Sequence, residues 1–230
     1  MKDSTPKVAP GRTVFSPVNS LVVAVIAGIS FAALAIWIAR QGVSVPGMDQ
    51  RIHTWVMSHR NSANIEFARG VTWGGVTQIV LPTLIIIGAL ATEGGHTFTR
   101  RLKSGFFITL IASVGAYLGL QINHLEGRVR PPVIDWAGTA GGPSFPSGHT
   151  TVASLFAASC AWVIATRVRA GWPRIALWTG AVLYAVAVGF SRVWLGVHWP
   201  TDVIGGWLYA LTWLAGSAAV VLTIRKRRLR

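Results

Sequence analysis

Residues 191–202 read Ser-Arg-Val-Trp-Leu-Gly-Val-His-Trp-Pro-Thr-Asp and separate two apolar runs of the chain. His198 and Asp202 stand four residues apart, so a helix that begins at Pro200 would carry the carboxylate back toward the imidazole. A carboxylate bound to one ring nitrogen fixes the tautomer and leaves the other nitrogen free to act. Arg192 adds a cation suited to a phosphate group. The stretch therefore predicts a reactive histidine beside an anion site, although Arg, His and Trp also favour ordinary membrane-edge loops.

The apolar runs beside this stretch belong to a series of six. The chain has 230 residues, of which only 12% are charged, and its mean hydropathy is +0.51, a composition rare among soluble domains. The runs free of charged residues and histidine are 13–39, 70–92, 104–123, 150–166, 175–191 and 203–224. About 20 apolar residues cross a bilayer, where the backbone must satisfy its own hydrogen bonds. We therefore predict an all-α fold, a bundle of six transmembrane helices forming one domain over residues 20–224, rather than a large soluble helical core.

Basic residues are unevenly distributed between the predicted connections. With the N-terminus inside, the cytoplasmic segments hold 14 of the 21 Lys and Arg residues. Such a bias sets orientation, so both termini of this multi-pass membrane protein are predicted to be cytoplasmic and residues 191–202 to face the outside. Residues 1–19 are predicted to be a disordered cytoplasmic lead, and residues 225–230 a basic cytoplasmic tail. We therefore attribute the net charge of +14 to residues that set membrane orientation and contact anionic lipid head groups, and not to nucleic-acid binding.

Three local features add detail to the six-helix prediction. The long outer connection 40–69 contains apolar and aromatic residues at helical spacing, which predicts a short amphipathic helix at the interface. These residues are Ile52, Trp55, Val56 and His59. Pro82 lies in the second run, where a membrane helix tolerates it, and it predicts a kink. Cys160 lies inside the fourth run and is predicted to pack in the bundle.

Two other blocks of sequence carry residues of similar chemistry. Residues 128–131 read Arg-Val-Arg-Pro, and residues 146–149 read Pro-Ser-Gly-His. In this order the three blocks resemble the type 2 phosphatidic acid phosphatase (PAP2) superfamily. Its signature is Lys, six residues and Arg-Pro; then Pro-Ser-Gly-His; then Ser-Arg, five residues, His, three residues and Asp. The second and third blocks match in full. The resemblance implies a membrane phosphatase of lipid phosphates that uses no metal ion and no cofactor.

The resemblance also implies catalytic roles for three residues. His198 corresponds to the nucleophile, which forms a covalent phosphohistidine. Asp202 corresponds to the carboxylate that orients this histidine and stabilises the charge that develops on it. His149 corresponds to the general acid, which protonates the leaving oxygen.

A second group of residues is implied to hold the phosphate. Arg130 and Arg192 correspond to arginines that bind its oxygens as bidentate forks. Ser147, together with the backbone amides of Gly148 and His149, begins the fourth predicted helix, where Ser is a good N-cap residue and the helix dipole favours an anion.

The first block departs from the family signature. Seven residues before Arg130, where the family has Lys, this chain has Asn123, which can donate hydrogen bonds but carries no charge. Arg128 is predicted to supply the missing phosphate-binding cation. One charge-assisted contact contributes about 1.5–3 kcal/mol, so its loss corresponds to a rate penalty of about ten- to a hundredfold. Replacing Asn123 by Lys is accordingly predicted to keep or raise activity.

Other interpretations of the same residues stay open from sequence. His149, His198 and Asp202 have the composition of a metal site, although the neighbouring arginines would repel a cation. The phosphohistidine could pass its phosphate to a second lipid instead of water, which would make the protein a phosphotransferase. Asn123 also raises the alternative of a non-catalytic binder or transporter of lipid phosphates. For a phosphatase, the family offers polyprenyl diphosphate (undecaprenyl-type, favoured here), phosphatidylglycerol phosphate and phosphatidate as substrates.

Overall fold

The computed structural model describes residues 16–90 and 98–228, and its regular elements are all helical. The helices are α1 (Pro17–Gln41), α2 (Gly47–His59), α3 (Ser62–Thr72), α4 (Thr77–Leu90), α5 (Phe98–Glu126), α6 (Gly148–Ala165), α7 (Trp172–Trp194) and α8 (Pro200–Arg228). Short 3-10 turns occupy Trp73–Gly75 and Val133–Asp135. The predicted all-α class is confirmed.

Five of these helices are long and apolar enough to cross a membrane: α1, α5, α6, α7 and α8. The second predicted span, 70–92, is divided: α3 with its 3-10 turn and α4 pass the same test as a pair bent by 53°. The described residues therefore contain five candidate spans, or six if the bent pair counts as one. Large apolar side chains point outward from the bundle, as lipid-facing residues do, including Ile26, Ile29, Phe106, Leu183 and Val220.

The break in the second span lies at Trp73–Gly75, while α4 continues through Pro82. The chain therefore turns before α4 begins, and the predicted kink at Pro82, in the second turn of that helix, stays a prediction. Gly75 allows the turn to press against α6: a Cβ there would lie 2.8 Å from the carbonyl oxygen of His149. A side chain larger than hydrogen does not fit in this space.

The ends of the bundle differ slightly from the predicted boundaries. Ser16 caps α1 by accepting a hydrogen bond from the backbone N–H of Asn19, at 3.0 Å, so residues 17–19 of the predicted lead form the first turn of α1. Residues 225–228 of the predicted tail continue α8. The rest of the predicted lead, the connection around Glu93 and Arg230 lie outside the described residues.

Helix α6 is the centre of the bundle. Of its most apolar 18-residue window 61% is buried, against 17% to 28% for the other four candidate spans. It packs on α7, α8, α5 and α4, while α1 packs along α8. Cys160 lies in the buried cluster that joins these helices, with Leu84 and Leu155, as predicted.

The predicted amphipathic helix is present as α2, but its buried face differs from the prediction. Val56 packs between α7 and α8, against Val193 and Val203. Trp55 is 54% exposed, and Asp49 and His53 occupy the buried face instead. These two polar residues can be buried because each has a hydrogen-bonding partner in the bundle.

One end of the bundle gathers the three sequence blocks. The C-terminal ends of α5 and α7, the N-terminal ends of α6 and α8, and the loop 127–147 meet there. Two backbone bonds fix this arrangement: Ser147 N–H donates to the carbonyl of Asp202 (3.0 Å), and Ser144 N–H donates to that of Arg128 (2.8 Å). Phe145, fully buried, anchors the loop by stacking on Phe31 of α1.

Candidate active site

His198 and Asp202 meet as their spacing predicts. α7 ends at Trp194, a turn follows in which Gly196 has a φ of +71°, and α8 begins at Pro200. This first turn of α8 places Oδ2 of Asp202 at 3.3 Å from Nδ1 of His198, and the same oxygen accepts the backbone N–H of Trp199 at 2.8 Å. The carboxylate is thus held by its own helix turn, and the imidazole is held by the carboxylate.

The neighbours of His198 determine its tautomer. Nδ1 faces a carboxylate, which only accepts, so the ring proton belongs on Nδ1. Nε2 lies 2.9 Å from Nη1 of Arg130, which only donates, so Nε2 presents its lone pair. Burial lowers the pKa of His198 to about 4, although its hydrogen bond to Asp202 opposes the shift. The imidazole is therefore neutral at pH 7, as a nucleophile must be.

Arg130 is fixed by the loop around it. Its guanidinium donates to the carbonyl oxygens of Gly141, Gly142, Pro143 and Val197 at distances between 2.7 and 3.0 Å, in addition to Nε2 of His198. The predicted bidentate fork is therefore not prearranged in this structure. What the structure provides is a cation held against Nε2 of His198.

Arg192 is a buried cation on α7, only 2% exposed. Nη1 donates to Oγ1 of Thr72 at 2.8 Å, and Nη2 donates to the carbonyl of Thr139 at 3.0 Å. Its Nε has no hydrogen-bond partner among the described residues. Because a buried guanidinium with an unmet donor is costly, this side chain is well suited to an anion that enters the adjoining pocket.

The predicted residues at the start of α6 divide into two groups. Gly148 and His149 lie on the pocket wall, close to the positive end of the helix dipole. Ser147 is the N-cap residue, as predicted, but it is fully buried and its Oγ accepts from Oγ1 of Thr150 at 3.0 Å. The Ser147 hydroxyl therefore supports the helix start from behind the wall.

The side chains of His149, Arg130, Arg192 and His198 line one end of a single pocket of about 540 Å³. The apolar part of its wall is a groove between α4 and α5, lined by Leu81, Ala116, Tyr117 and Leu120. Ser113 and Asn123 both line the pocket, and their ten-residue separation on α5 corresponds to about 15 Å. Tyr117 is 61% exposed, so the groove reaches the lipid-facing surface.

Arg128 does not occupy the predicted phosphate-binding position. Its guanidinium donates to Asp202 Oδ1 in a short ion pair, to Asp49 Oδ2 at 2.7 Å and to Thr201 Oγ1 at 2.8 Å. Two carboxylates hold it on the far side of Asp202 from His198, away from the pocket. The predicted replacement of the family lysine by Arg128 is therefore wrong.

Asn123 lines the pocket, but its amide group is directed to the loop. Nδ2 donates to the carbonyls of Pro143 and Pro146, each at 3.1 Å, which uses both of its N–H groups. The position of the family lysine thus fastens the Pro-Ser-Gly-His block to α5. A phosphate contact through this amide would require one of these bonds to break.

Asn123→Leu is expected to destabilise the fold by about 1–3 kcal/mol, because the buried carbonyl oxygen of Pro146 loses its donor and that of Pro143 keeps only Arg130. Thermal unfolding in detergent measures this effect. His124→Leu is the matched control, since His124 is the next residue on α5 and is exposed. Equal melting temperatures for the two variants would show that the Asn123 bonds do not hold the loop.

Asp49 is the residue that sequence analysis missed. It is fully buried and accepts from Arg128, from the backbone N–H of Thr201 at 3.0 Å and from Oγ1 of Thr201 at 2.5 Å. A signal was present: residues 49, 53 and 56 share one helical face, and one of only seven acidic residues in the chain lies on it.

A metal site is the alternative interpretation of the histidines. In residues 16–90 and 98–228, no three His, Cys, Asp or Glu side chains converge as metal ligands would. Both ring nitrogens of His198 already have partners, and the surrounding charges are guanidinium groups. This arrangement of side chains suits an anion.

Comparisons with known proteins agree with this geometry. The sequence model of the PAP2 superfamily matches residues 103–226. Phosphatidylglycerophosphatase B of Bacillus subtilis (strain 168) is 34% identical over 154 residues, 64% of this chain and 70% of that protein. Undecaprenyl-diphosphatase BcrC of the same organism is 37% identical over 110 residues, 44% of this chain and 52% of that protein. The crystal structure of the first transmembrane PAP2 type phosphatidylglycerolphosphate phosphatase from Bacillus subtilis superposes with a TM-score of 0.71 and 26% identity, covering 90% of this chain and 97% of that one.

This chain belongs to the PAP2 superfamily, and its all-helical bundle, with arginines and histidines clustered at one end, is that of the membrane phosphatases in it. It is a hydrolase that acts on lipid phosphates.

Proposed function

We propose that this protein hydrolyses a lipid phosphate or diphosphate at the outer face of the cell membrane, through a phosphohistidine at His198. One observation carries the proposal. Nε2 of His198 presents its lone pair to the cationic end of the pocket, while Asp202 holds the opposite ring nitrogen. A neutral, oriented imidazole beside two guanidinium groups is what nucleophilic attack on a phosphate requires.

In the first half-reaction, Nε2 attacks the phosphorus atom as the bond from phosphorus to the leaving oxygen breaks. The negative charge of the bound phosphate favours protonated His149, which donates the proton that the leaving oxygen needs. The N–H of Arg130 that binds Nε2 turns to a phosphate oxygen as that lone pair forms the new bond, and Arg192 offers its Nε to a second oxygen. In the second half-reaction, water gives its proton to His149 and attacks phosphorus, the N–P bond breaks, and inorganic phosphate is released.

The groove between α4 and α5 supports a lipid substrate. Its apolar side chains line the same pocket as Arg130, His149, Arg192 and His198, and the exposed Tyr117 marks where the pocket reaches the lipid-facing surface. A polyprenyl diphosphate is our first candidate, in agreement with the similarity to undecaprenyl-diphosphatase BcrC. Phosphatidylglycerol phosphate is the second candidate, because the similarity to phosphatidylglycerophosphatase B extends over more of the chain.

The distribution of basic residues supports an outward-facing site. At the end of the bundle opposite the pocket, α6 is followed by Arg167 and Arg169, and α8 ends with the basic residues 225–228. Basic segments of this kind are retained on the cytoplasmic side of a membrane. The pocket would therefore open toward the outer leaflet.

Phosphate release by the purified protein in detergent tests the proposal. We expect release from undecaprenyl diphosphate, with phosphatidylglycerol phosphate and phosphatidate offered side by side, and we expect it to persist in EDTA. A rate that collapses in EDTA and returns with a divalent cation would contradict the metal-free mechanism.

Lipid analysis of the same reactions separates hydrolysis from phosphotransfer. Hydrolysis releases one inorganic phosphate for each substrate consumed. A new phosphorylated lipid, in place of inorganic phosphate, would identify the protein as a phosphotransferase. No consumption of any of the three lipids by folded protein would favour a binder or transporter.

A further inference from the structure

Asp49 stands at the end of a chain of buried charges that leads to the reactive histidine. It lies on α2, outside all three sequence blocks, and it is fully buried. Both of its oxygens accept hydrogen bonds: Oδ1 from the backbone N–H of Thr201, and Oδ2 from Oγ1 of Thr201 and Nη2 of Arg128. Three donors and no acceptor around it correspond to an ionised carboxylate.

Arg128 connects this carboxylate to Asp202. Nη2 binds Asp49 at 2.7 Å, and Nη1 binds Oδ1 of Asp202 in a short ion pair. The Arg128 side chain is only 8% exposed, and those of both carboxylates are fully buried. Asp202 in turn contacts His198, so four side chains form one desolvated series from α2 to the nucleophile.

The charges of this series have a consequence for the reaction. Arg128 alone would neutralise Asp202, and the nucleophile would then face a neutral ion pair. With Asp49 added, the series Asp49, Arg128, Asp202 and neutral His198 has a net charge of −1. When Nε2 bonds to phosphorus the ring becomes positively charged, so the series becomes neutral. A fixed negative charge that meets positive charge developing in the transition state accelerates the step selectively.

We propose that Asp49 is a positioning residue of the phosphatase reaction, which acts through Arg128 to keep Asp202 oriented and the surroundings of His198 negative. This inference rests on the proposed function, since it concerns the formation of phosphohistidine. Asp49 does not line the pocket. Its effect therefore belongs to kcat rather than to substrate binding.

The test compares Asp49→Asn with a control on the same helix. Asn keeps the shape and two acceptor lone pairs but removes the charge. His53 also fastens α2 to the bundle, through Nε2 to Oδ2 of Asp135 at 2.9 Å, but it is not part of the series. Loosened docking of α2 should therefore affect His53→Asn as much as Asp49→Asn, whereas lost charge should affect only the latter.

The measurement is formation of labelled phosphohistidine by rapid mixing with labelled substrate and trapping in alkaline detergent. Asp49→Asn is expected to slow formation about ten- to a hundredfold, with KM changed less than about threefold. His53→Asn is expected to form phosphohistidine at nearly the wild-type rate per folded molecule, with a lower melting temperature.

The double variant Asp49→Asn, Arg128→Gln separates a role of charge from a purely structural role, because the two roles predict opposite changes in the rate of phosphohistidine formation. It removes one negative and one positive charge, which returns the series to a net charge of −1. It is therefore expected to form phosphohistidine faster than Asp49→Asn alone, although two ion-pair members are gone. A double variant as slow as Asp49→Asn, or slower, would overturn the inference.

The remaining outcomes are also distinct. If the wild-type protein forms no labelled phosphohistidine at His198, the proposed function and this inference are both overturned. If the wild-type protein is labelled and Asp49→Asn is labelled equally fast, only the inference is overturned. Equal losses in Asp49→Asn and His53→Asn would also overturn it, because α2 docking would then account for both.

Discussion

His198→Ala is expected to reduce kcat/KM by about four orders of magnitude or more, with no labelled phosphoenzyme. Removal of a covalent nucleophile leaves only the contributions of binding and of electrostatic stabilisation. The assay is phosphate release from the preferred lipid, together with trapping of the intermediate.

Two controls define this result. His124→Ala changes an exposed histidine on α5, and it should retain wild-type turnover and labelling. His198→Ala protein should also elute and melt as a folded bundle, so that lost turnover reflects lost chemistry. Wild-type-like rates in folded His198→Ala protein would exclude His198 as the nucleophile.

Arg192→Gln is expected to lower kcat/KM by about a hundred- to a thousandfold. The substitution removes a buried cation that lines the pocket and whose Nε has no hydrogen-bond partner among the described residues. Truncation of one member of a buried, hydrogen-bonded charge pair, here the arginine and the bound phosphate, costs about 2–5 kcal/mol. Steady-state kinetics with inorganic vanadate as a competing anion measures the loss of both turnover and anion affinity.

Arg192→Lys and Arg69→Gln complete this experiment. Lysine restores the charge but not the planar fork, so it should recover only part of the loss. Arg69 is an arginine at the same end of the bundle that pairs with Glu66 and donates to the carbonyl of Ala137 at the surface, so Arg69→Gln should reduce kcat/KM far less than Arg192→Gln. Vanadate affinity unchanged in Arg192→Gln would mean that another group holds the phosphate.

Local spacing explains what the sequence could predict at the site. His198 and Asp202 are four residues apart, so one helix start suffices to bring them together. Ser147 could be placed as an N-cap for the same reason. These contacts depend on a few neighbouring residues, whose backbone conformation the sequence strongly restricts.

Contacts between distant residues explain the errors. The sequence predicts that Arg128 binds phosphate, whereas its two carboxylate partners, Asp49 and Asp202, lie 79 and 74 residues away in the chain. Whether Arg128 contacts a substrate or a buried carboxylate depends on where α2 packs, because α2 carries Asp49. The family motif contains no information about the position of α2. The bilayer requirement likewise predicts an apolar second span but not its break at Trp73–Gly75, because a run without charged residues does not reveal where the chain turns.

The groove between α4 and α5 also bears on how substrate concentration should be expressed, as a mole fraction in the lipid or as a molarity in the sample. Its rim includes Tyr117 and Leu120, which are 61% and 50% exposed on the outside of the bundle, where we expect lipid. A substrate that arrives by lateral diffusion is supplied in two dimensions, so its mole fraction among the lipids, and not its molarity in the sample, sets saturation. At fixed total substrate, added inert detergent or lipid should therefore slow turnover by surface dilution, and rate constants should be compared at equal mole fraction.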